Sequence, residues 1–413
     1  MTEHTNTPEL RFPEFKDEWK LQKLGNLAQF SKGKSLSKKD LNINGKPCIL
    51  YGELYTKYGA ILNKVYSKTS TQNDSLVFSK RNQILIPSSG ETDIDIATAT
   101  AIDTDVKIAI GGDLNIITPI NSDGRFISLY INGKGKYNLA KYAQGKSVVH
   151  LYNSDIKKLN FYLPTNMAEQ KKIGDFFSKL DQQIELEEKK LELLEQQKRG
   201  YMQKIFSQEV RFKDDNGNSY PEWESAPLFD IFSATKGKSL SKDKISDDGK
   251  YECILYGEIY TTYAEKIESI VSRTNYYEGI LSQKNDLIFP NSTTTNAWDL
   301  ATFSSLQRNN VLIGGDISIL RTKRSDISSL FYAYYLTNYL KLRKDIAKYA
   351  QGITIVHLSF NNFCKIKVQI PSLEEQNSIT DFIDSLNQQQ KLITNKIKLL
   401  KERKKGFLQK MFV

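Results

Sequence analysis

The chain has 413 residues and a mass of 47.3 kDa, more than one ordinary core holds, so two or three domains are expected. Lys and Arg total 58 against 48 Asp and Glu, a net charge of +10 with a pI of about 9.1, which favours a polyanionic partner. Hydrophobic residues at 39% and aromatics at 11% exclude a largely disordered chain, and no apolar run approaches the ~18 residues of a membrane span.

The opening MTEHTNTPEL has neither the basic start nor the apolar run of a secretory signal, and His4 sits in a segment expected to be loose. Cys48, Cys253 and Cys364 have no paired spacing, so neither a disulfide framework nor a zinc site is indicated. A reducing cytoplasm is the expected setting.

A basic turn, KGKSLSK, occupies 32–38, and CILYGE follows at 48–53, continuing as LYTKYG. Short β-like runs at 83–86, 106–110 and 114–117 alternate with turn formers, including the polar loop PSSGE at 87–91 and IGGD at 110–113. KYAQG at 141–145 precedes the pair His150-Leu151. At Pro164, which ends the run NFYLP, the pattern changes to helical. Ile173, Phe177, Leu180, Ile184, Leu191 and Leu194 recur at alternating steps of four and three, continuing to Tyr201 and Ile205, with Glu187 and Lys198 as polar breaks. The segment closes on KRGYMQKIF at 198–206.

The second half then repeats the first. KGKSLSK returns at 236–242, CILYGE at 253–258, IGGD at 313–316, KYAQG at 348–352, a His-Leu pair at His357, and KKGFLQKMF at 404–412. Every offset lies between 203 and 207 residues, too long for a solenoid period. The β-like runs are 286–289 and 317–320, and 327–340 reads as helix. The second seam is Ile379, Ile383, Leu386, Ile393, Ile397 and Leu400, and it extends to Phe407 and Met411. Both halves are net basic, so neither is an acidic regulatory arm.

The expected architecture is α+β: two repeated mixed α/β domains separated by two long helices. Residues 1–163 and 209–370 form the domains, and 164–208 and 371–413 the helices. A helix of about 40 residues reaches ~60 Å, and so long and narrow an apolar stripe predicts a coiled-coil seam rather than an ordinary core helix. The two helices pair most simply antiparallel, about a pseudo-twofold axis.

Catalytic signatures are missing from the sequence. GKS occurs at Gly33, Gly145 and Gly237, but the Gly that a phosphate-binding loop needs five residues earlier is replaced by Ala28, Ala140 and Phe232. No Gly-x-Gly-x-x-Gly follows a strand, and the Asn-Pro-Pro-aromatic motif of an amino-methyltransferase does not occur. His150 and His357 are repeat-equivalent and read as structural or phosphate-contacting. Cys48 and Cys253 lie in apolar runs and read as small buried hydrophobes. No metal site and no catalytic residue is assigned.

Binding signatures are present twice. Lys32, Lys34 and Lys38, with Lys236, Lys238 and Lys242, read as phosphate clamps. Tyr51, Glu53, Tyr55 and Thr56, matched by Tyr256, Glu258, Tyr260 and Thr261, carry groups that hydrogen-bond base edges or phosphates, Glu in particular accepting from cytosine N4. The alternative is that the tyrosines pack a sheet. Ser88 and Ser89 face Asn291, Ser292 and Thr293 across the repeat, a divergent polar loop on a shared scaffold, where half-site specificity is expected. The KYAQG segments could read a base through Gln144 or Gln351 or form structural turns with backbone contacts, and the turn is favoured.

Two variable domains, each followed by a Pro, a Glu-Gln pair and a long helix, resemble the specificity subunit of a type I restriction-modification enzyme. The helix-start signature is Pro164, Glu169, Gln170, Ile173 and again Pro371, Glu375, Gln376, Ile379. The resemblance spans essentially the whole chain and rests on the repeated order of its motifs. It implies a non-catalytic reader of double-stranded DNA in which each domain reads half of a bipartite site. It further implies two methyltransferase subunits that modify adenine N6 with S-adenosylmethionine, and two restriction subunits that use ATP and magnesium. The competing reading is a coiled-coil scaffold joining two protein-binding domains. A nuclease acting alone is the weakest reading, because it needs an acidic metal cluster that the sequence lacks.

Overall fold

A computed structural model describes residues 6–413, so His4 lies outside the described residues. The chain divides into two compact units. One holds the residues through Lys189 together with Ile393–Val413, and the other is Lys190–Leu392.

In the first unit the β-like run at 83–86 becomes the strand Ile84–Pro87, buried at every position. It lies between Leu114–Pro119 and Thr100–Ala101, and Ala28–Lys32 completes a four-stranded antiparallel sheet. A second sheet has five strands, in which Lys46–Ile49 runs antiparallel to Ser67–Thr69 and parallel to Ala109–Ile110. The strand expected over 106–110 is confined to Ala109–Ile110, because Val106 is exposed and Ile108 is bonded instead to Ser79. Lys20–Lys23 pairs with Asn160–Leu163 and ties the start of the domain to its end.

The second unit repeats this plan. Phe232–Lys236, Ile317–Thr322, Asp286–Pro290 and Ser304–Leu306 form the matching sheet, and Lys266–Ile267 adds a fifth strand. In the first unit that fifth position is a single bridge between Ile61 and Ala101. The helix expected over 327–340 is Ser329–Asn338, begun by Ser328, whose hydroxyl accepts from the Phe331 amide.

The two long helices are Met167–Phe206, of 40 residues, and Leu373–Lys410, of 38. From Ile184 to Lys198 only the positions of the predicted seam are shielded, and every other residue is exposed. Leu386, Ile393, Ile397 and Leu400 are buried, while Leu180, Leu191 and Leu194 are half-buried. Within the first unit, Asp181 pairs with Lys404 and Glu187 with Lys396. Within the second, Lys198 donates to Asn387, and Tyr201 meets Phe382 edge-on at 5.6 Å. In both units rising numbers on one helix meet falling numbers on the other, so the pairing is antiparallel as expected.

At their ends the helices leave the narrow seam. Ile173 and Phe177 belong to the core of the first unit, and Ile379 and Ile383 to that of the second. Tyr201, expected on the seam, is 43% exposed, and its neighbour Met202 is buried. Just beyond it Gln203 bonds Asn338 and Leu340, and Phe206 packs on Phe331 and Tyr335, so domain residues share the burial of the helix end. The closing repeats have a packing reason. Phe412 lies 5.1 Å from Phe126 in the core of the first unit, and Phe206 lies 6.0 Å from Phe331 in that of the second.

Candidate nucleic-acid interface

The basic turn, the Gly-Gly-Asp turn and the strand before the Tyr-Gly-Glu helix are locked together. Gly33 N donates to Leu114 O at 3.0 Å, Lys34 N to Ile110 O at 3.3 Å, Gly112 N to Leu36 O at 3.3 Å and Gly111 N to Ile49 O at 2.9 Å. The second unit repeats the knot through Gly237 to Ile317, Lys238 to Ile313 and Gly314 to Ile254. A Cβ on Gly33 would stand 2.0 Å from the Gly111 carbonyl, and one on Gly237 2.1 Å from that of Gly314, so the backbones approach only because both are glycine. The Gly33 and Lys34 amides are thus consumed inside the fold, which agrees with reading GKS as a turn rather than a phosphate loop.

The knot turns its lysines outward. Lys32, Lys34, Lys38, Lys236, Lys238 and Lys242 are all exposed. Lys32 Nζ stands 5.8 Å over the Tyr152 ring, while Lys236 is held by Asp316 at 3.4 Å. Tyr152 stacks on His150, whose Nδ1 is 3.3 Å from Ser89 Oγ, so Lys32, Ser89 and His150 form one surface group. In the second unit Lys242, Tyr256, Tyr260, Thr261 and Asp316 line one cleft. Asp316 also lines a second cleft with Lys236, Asn291, Gln351 and His357.

Glu53 serves the fold, contrary to the base-reading expectation, whereas Glu258 makes the matching local bonds while half-buried and lining the tyrosine cleft. Glu53 is buried, and its carboxylate accepts from Leu50 N at 3.0 Å, from Lys57 Nζ at 2.9 Å and from Ser67 Oγ. Glu258 accepts from Leu255 N at 2.7 Å and from Ser272 Oγ. Thr56 and Thr261 donate to Gly52 O and Gly257 O, one helical turn back. Tyr51 is exposed, whereas Tyr55, Tyr256 and Tyr260 are half-buried, and Tyr260 accepts from Thr293. Cys48 and Cys253 are fully buried beneath this segment, and burial pushes each thiol up to about 11.

The divergent polar loop is largely buried, contrary to the expectation that it meets DNA. Ser88, Asn291, Ser292 and Thr293 are buried, and of the first loop's two serines only Ser89 reaches the surface. In the first unit Asn115 Nδ2 donates to Leu151 O at 2.8 Å. In the second, Asn291 Nδ2 donates to the equivalent Leu358 O at 2.8 Å, and also bonds Ser318. Asn115 corresponds to Ser318 and Ser88 to Asn291, so one buried amide does the same job from opposite strands. The divergence at Ser88 is a compensated swap, not a record of different bases. Asn115→Ser alone should therefore cost about 1–3 kcal/mol, by leaving a buried carbonyl without its donor. Adding Ser88→Asn should restore most of it. Thermal unfolding of the two variants checks this, and a double variant no better than the single one would contradict the swap.

The Glu-Gln pairs are clamps. Glu169 is buried and accepts from Arg11 Nε at 2.7 Å, Arg11 Nη2 at 2.8 Å and Trp19 Nε1 at 3.2 Å. Glu375 takes the same bonds from Arg211 and Trp223. Gln170 donates to Pro164 O and accepts from Asp123 N, and Gln376 donates to Pro371 O and accepts from Ser328 N. Arg11, Trp19, Arg211 and Trp223 were not singled out from sequence. Their signal was there, an Arg-Phe pair followed by Pro-Glu and Trp in each half.

The sequence profile of the type I restriction modification DNA specificity domain matches residues 16–196 and again 220–402. The chain belongs to the type I restriction-modification DNA specificity family. The two matched segments fall on the two repeats. The type I restriction enzyme MjaVIII specificity subunit of Methanocaldococcus jannaschii is 21% identical over 417 residues, covering 92% of this chain and 87% of that protein. The fold matches the crystal structure of a type I restriction-modification S subunit from M. genitalium with a TM-score of 0.60 at 17% identity, over 98% of this chain and 99% of that one. A chain from a study of complex assembly and conformational transition of the type I system matches with a TM-score of 0.58 at 13% identity, over 94% and 96%. As a member of this family the chain is a DNA-specificity subunit. Among the described residues no helix is long and apolar enough to cross a membrane.

Proposed function

We propose that this chain is the non-catalytic, sequence-reading subunit of a type I complex, that each unit binds half of a bipartite DNA target, and that it works in the cytoplasm. Two methyltransferase subunits carry S-adenosylmethionine and modify adenine N6 at the chosen site. Two restriction subunits supply ATP- and magnesium-dependent cleavage. The observation that carries this reading is the duplicated knot: one backbone device presents exposed lysines beside Tyr152 and His150 in the first unit and at a tyrosine-lined cleft in the second. DNA offers a matching repeat of phosphates flanking base edges.

Lys34→Ala and Lys38→Ala should weaken binding to all DNA sequences alike. Each should lower the slope of log affinity against log salt by about 1 per lost phosphate contact. Fluorescence titration of the assembled complex at several salt concentrations measures both effects. A protein-binding scaffold would instead show binding nearly insensitive to salt. A wild-type slope near zero, or variants that match it, would remove the lysines from the interface.

A further inference from the structure

The hairpin after each KYAQG motif is the feature that the knot and the clamps leave unexplained. Its backbone is the same in both units. Gln144 and His150 exchange amide bonds at 2.9 and 2.7 Å, as do Gln351 and His357. Gly145 and Gly352 both take φ +124, and a Cβ on Gly352 would stand 2.0 Å from Ile355 O. The tip is therefore a stiff turn that a larger residue cannot occupy at the glycine. Its base adjoins the basic surface: His150 stacks on Tyr152 beneath Lys32, and Gln351 and His357 line the cleft of Lys236.

Between the two fixed ends the sequences read KYAQGKSVVHL and KYAQGITIVHL. Ser147 and Thr354 are both hydroxyl residues, and Val148 and Ile355 are both β-branched and apolar. Only Lys146 and Ile353 differ in chemical class. Ile353 is 100% exposed and Ile355 49%. A fully exposed isoleucine on a rigid turn contributes no burial to the fold, so its contribution lies in what meets it.

Resting on the proposed DNA-reading function, we propose that these tips enter the DNA groove and set half-site specificity, with Ile353 packing on a thymine methyl in the major groove. The thymine methyl is the one apolar group on the major-groove edge of the base pairs. Lys146, at the same point of the other tip, presents an ammonium suited to guanine O6 and N7 or to phosphate. The surrounding charge favours this partner over a protein. The base of one tip adjoins Lys32 and that of the other adjoins Lys236, an exposed cation paired with Asp316, and both lysines can meet phosphate.

The test uses the chain assembled with its methyltransferase. Methylome sequencing of wild type, Ile353→Lys and Lys146→Ile reads the modified motif directly. Ile353→Lys should change one half-site and leave the other intact, and Lys146→Ile should change the opposite half. In oligonucleotides bearing the wild-type motif, thymines of the half-site changed by Ile353→Lys are then replaced singly by uracil, which lacks the methyl. Wild-type affinity should fall about fourfold at one position, the worth of one buried methyl group. Ile353→Ala should show no fall there. The tip is exposed, so thermal stability should not change in any of these variants. A wild-type bipartite motif that both tip variants leave unaltered overturns this inference alone. So does a half-site with no uracil-sensitive thymine, or an Ile353→Lys variant that loses the methyltransferase while keeping its DNA affinity. A wild-type complex that modifies no split motif overturns the proposed function, and this inference with it.

Discussion

Replacing Glu169 by Ala should destabilise the first unit by about 3–5 kcal/mol, because it leaves the Arg11 guanidinium and the Trp19 N–H without their shared acceptor in a shielded site. Glu375→Ala should do the same to the second unit through Arg211 and Trp223. Glu169→Gln, which keeps an acceptor oxygen but loses the charge, should fall between wild type and Ala. Urea unfolding followed by Trp fluorescence reports on both sites, since Trp19 and Trp223 are themselves partners of the carboxylates. A loss below about 1 kcal/mol, the value of an exposed ion pair, would show that the clamp carries little.

The second large effect concerns the DNA target. Inserting seven residues after Glu187, and seven more at the repeat-equivalent point after Ile393, adds one heptad to each helix and keeps the four-three register of the seam. Each helix grows by ~10 Å, close to three base pairs at ~3.4 Å each. The variant complex should stop modifying the original sites. It should gain sites with the same half-sites and a gap about three base pairs longer. Insertion in one helix alone breaks the match between partners and should abolish specific modification. Retention of the original motif by the double insertion would show that the helices do not set the gap.

Much of this was legible in the residues, and the failures are instructive. The seam was readable because burial along a long helix leaves a period that needs no knowledge of the partner. It weakens at Tyr201, whose ring still meets Phe382 of the other helix but stays exposed while the neighbouring Met202 is buried. The repeated motifs were visible as words, but the knot they tie was not. Gly33 meets Gly111 across 78 residues, and no local pattern announces that two backbones will touch. Glu53 was misread for want of its partners. It stands third in the helix Tyr51–Thr56, where a carboxylate turns back to the amide before the helix, and that spacing was a usable signal. Ser88 was misread because a polar residue was equated with surface, when its exchange with Asn115 is visible only once both strands are in place. The lysines were the simplest case, because a long charged side chain on a tight turn has nowhere to go but solvent.

The most direct measurement is methylome sequencing of a host that expresses this chain together with its methyltransferase. New adenine-N6 methylation is expected at a split motif, with two short specified half-sites separated by a fixed unspecified gap. A continuous motif, or no chain-dependent methylation at all, would contradict it.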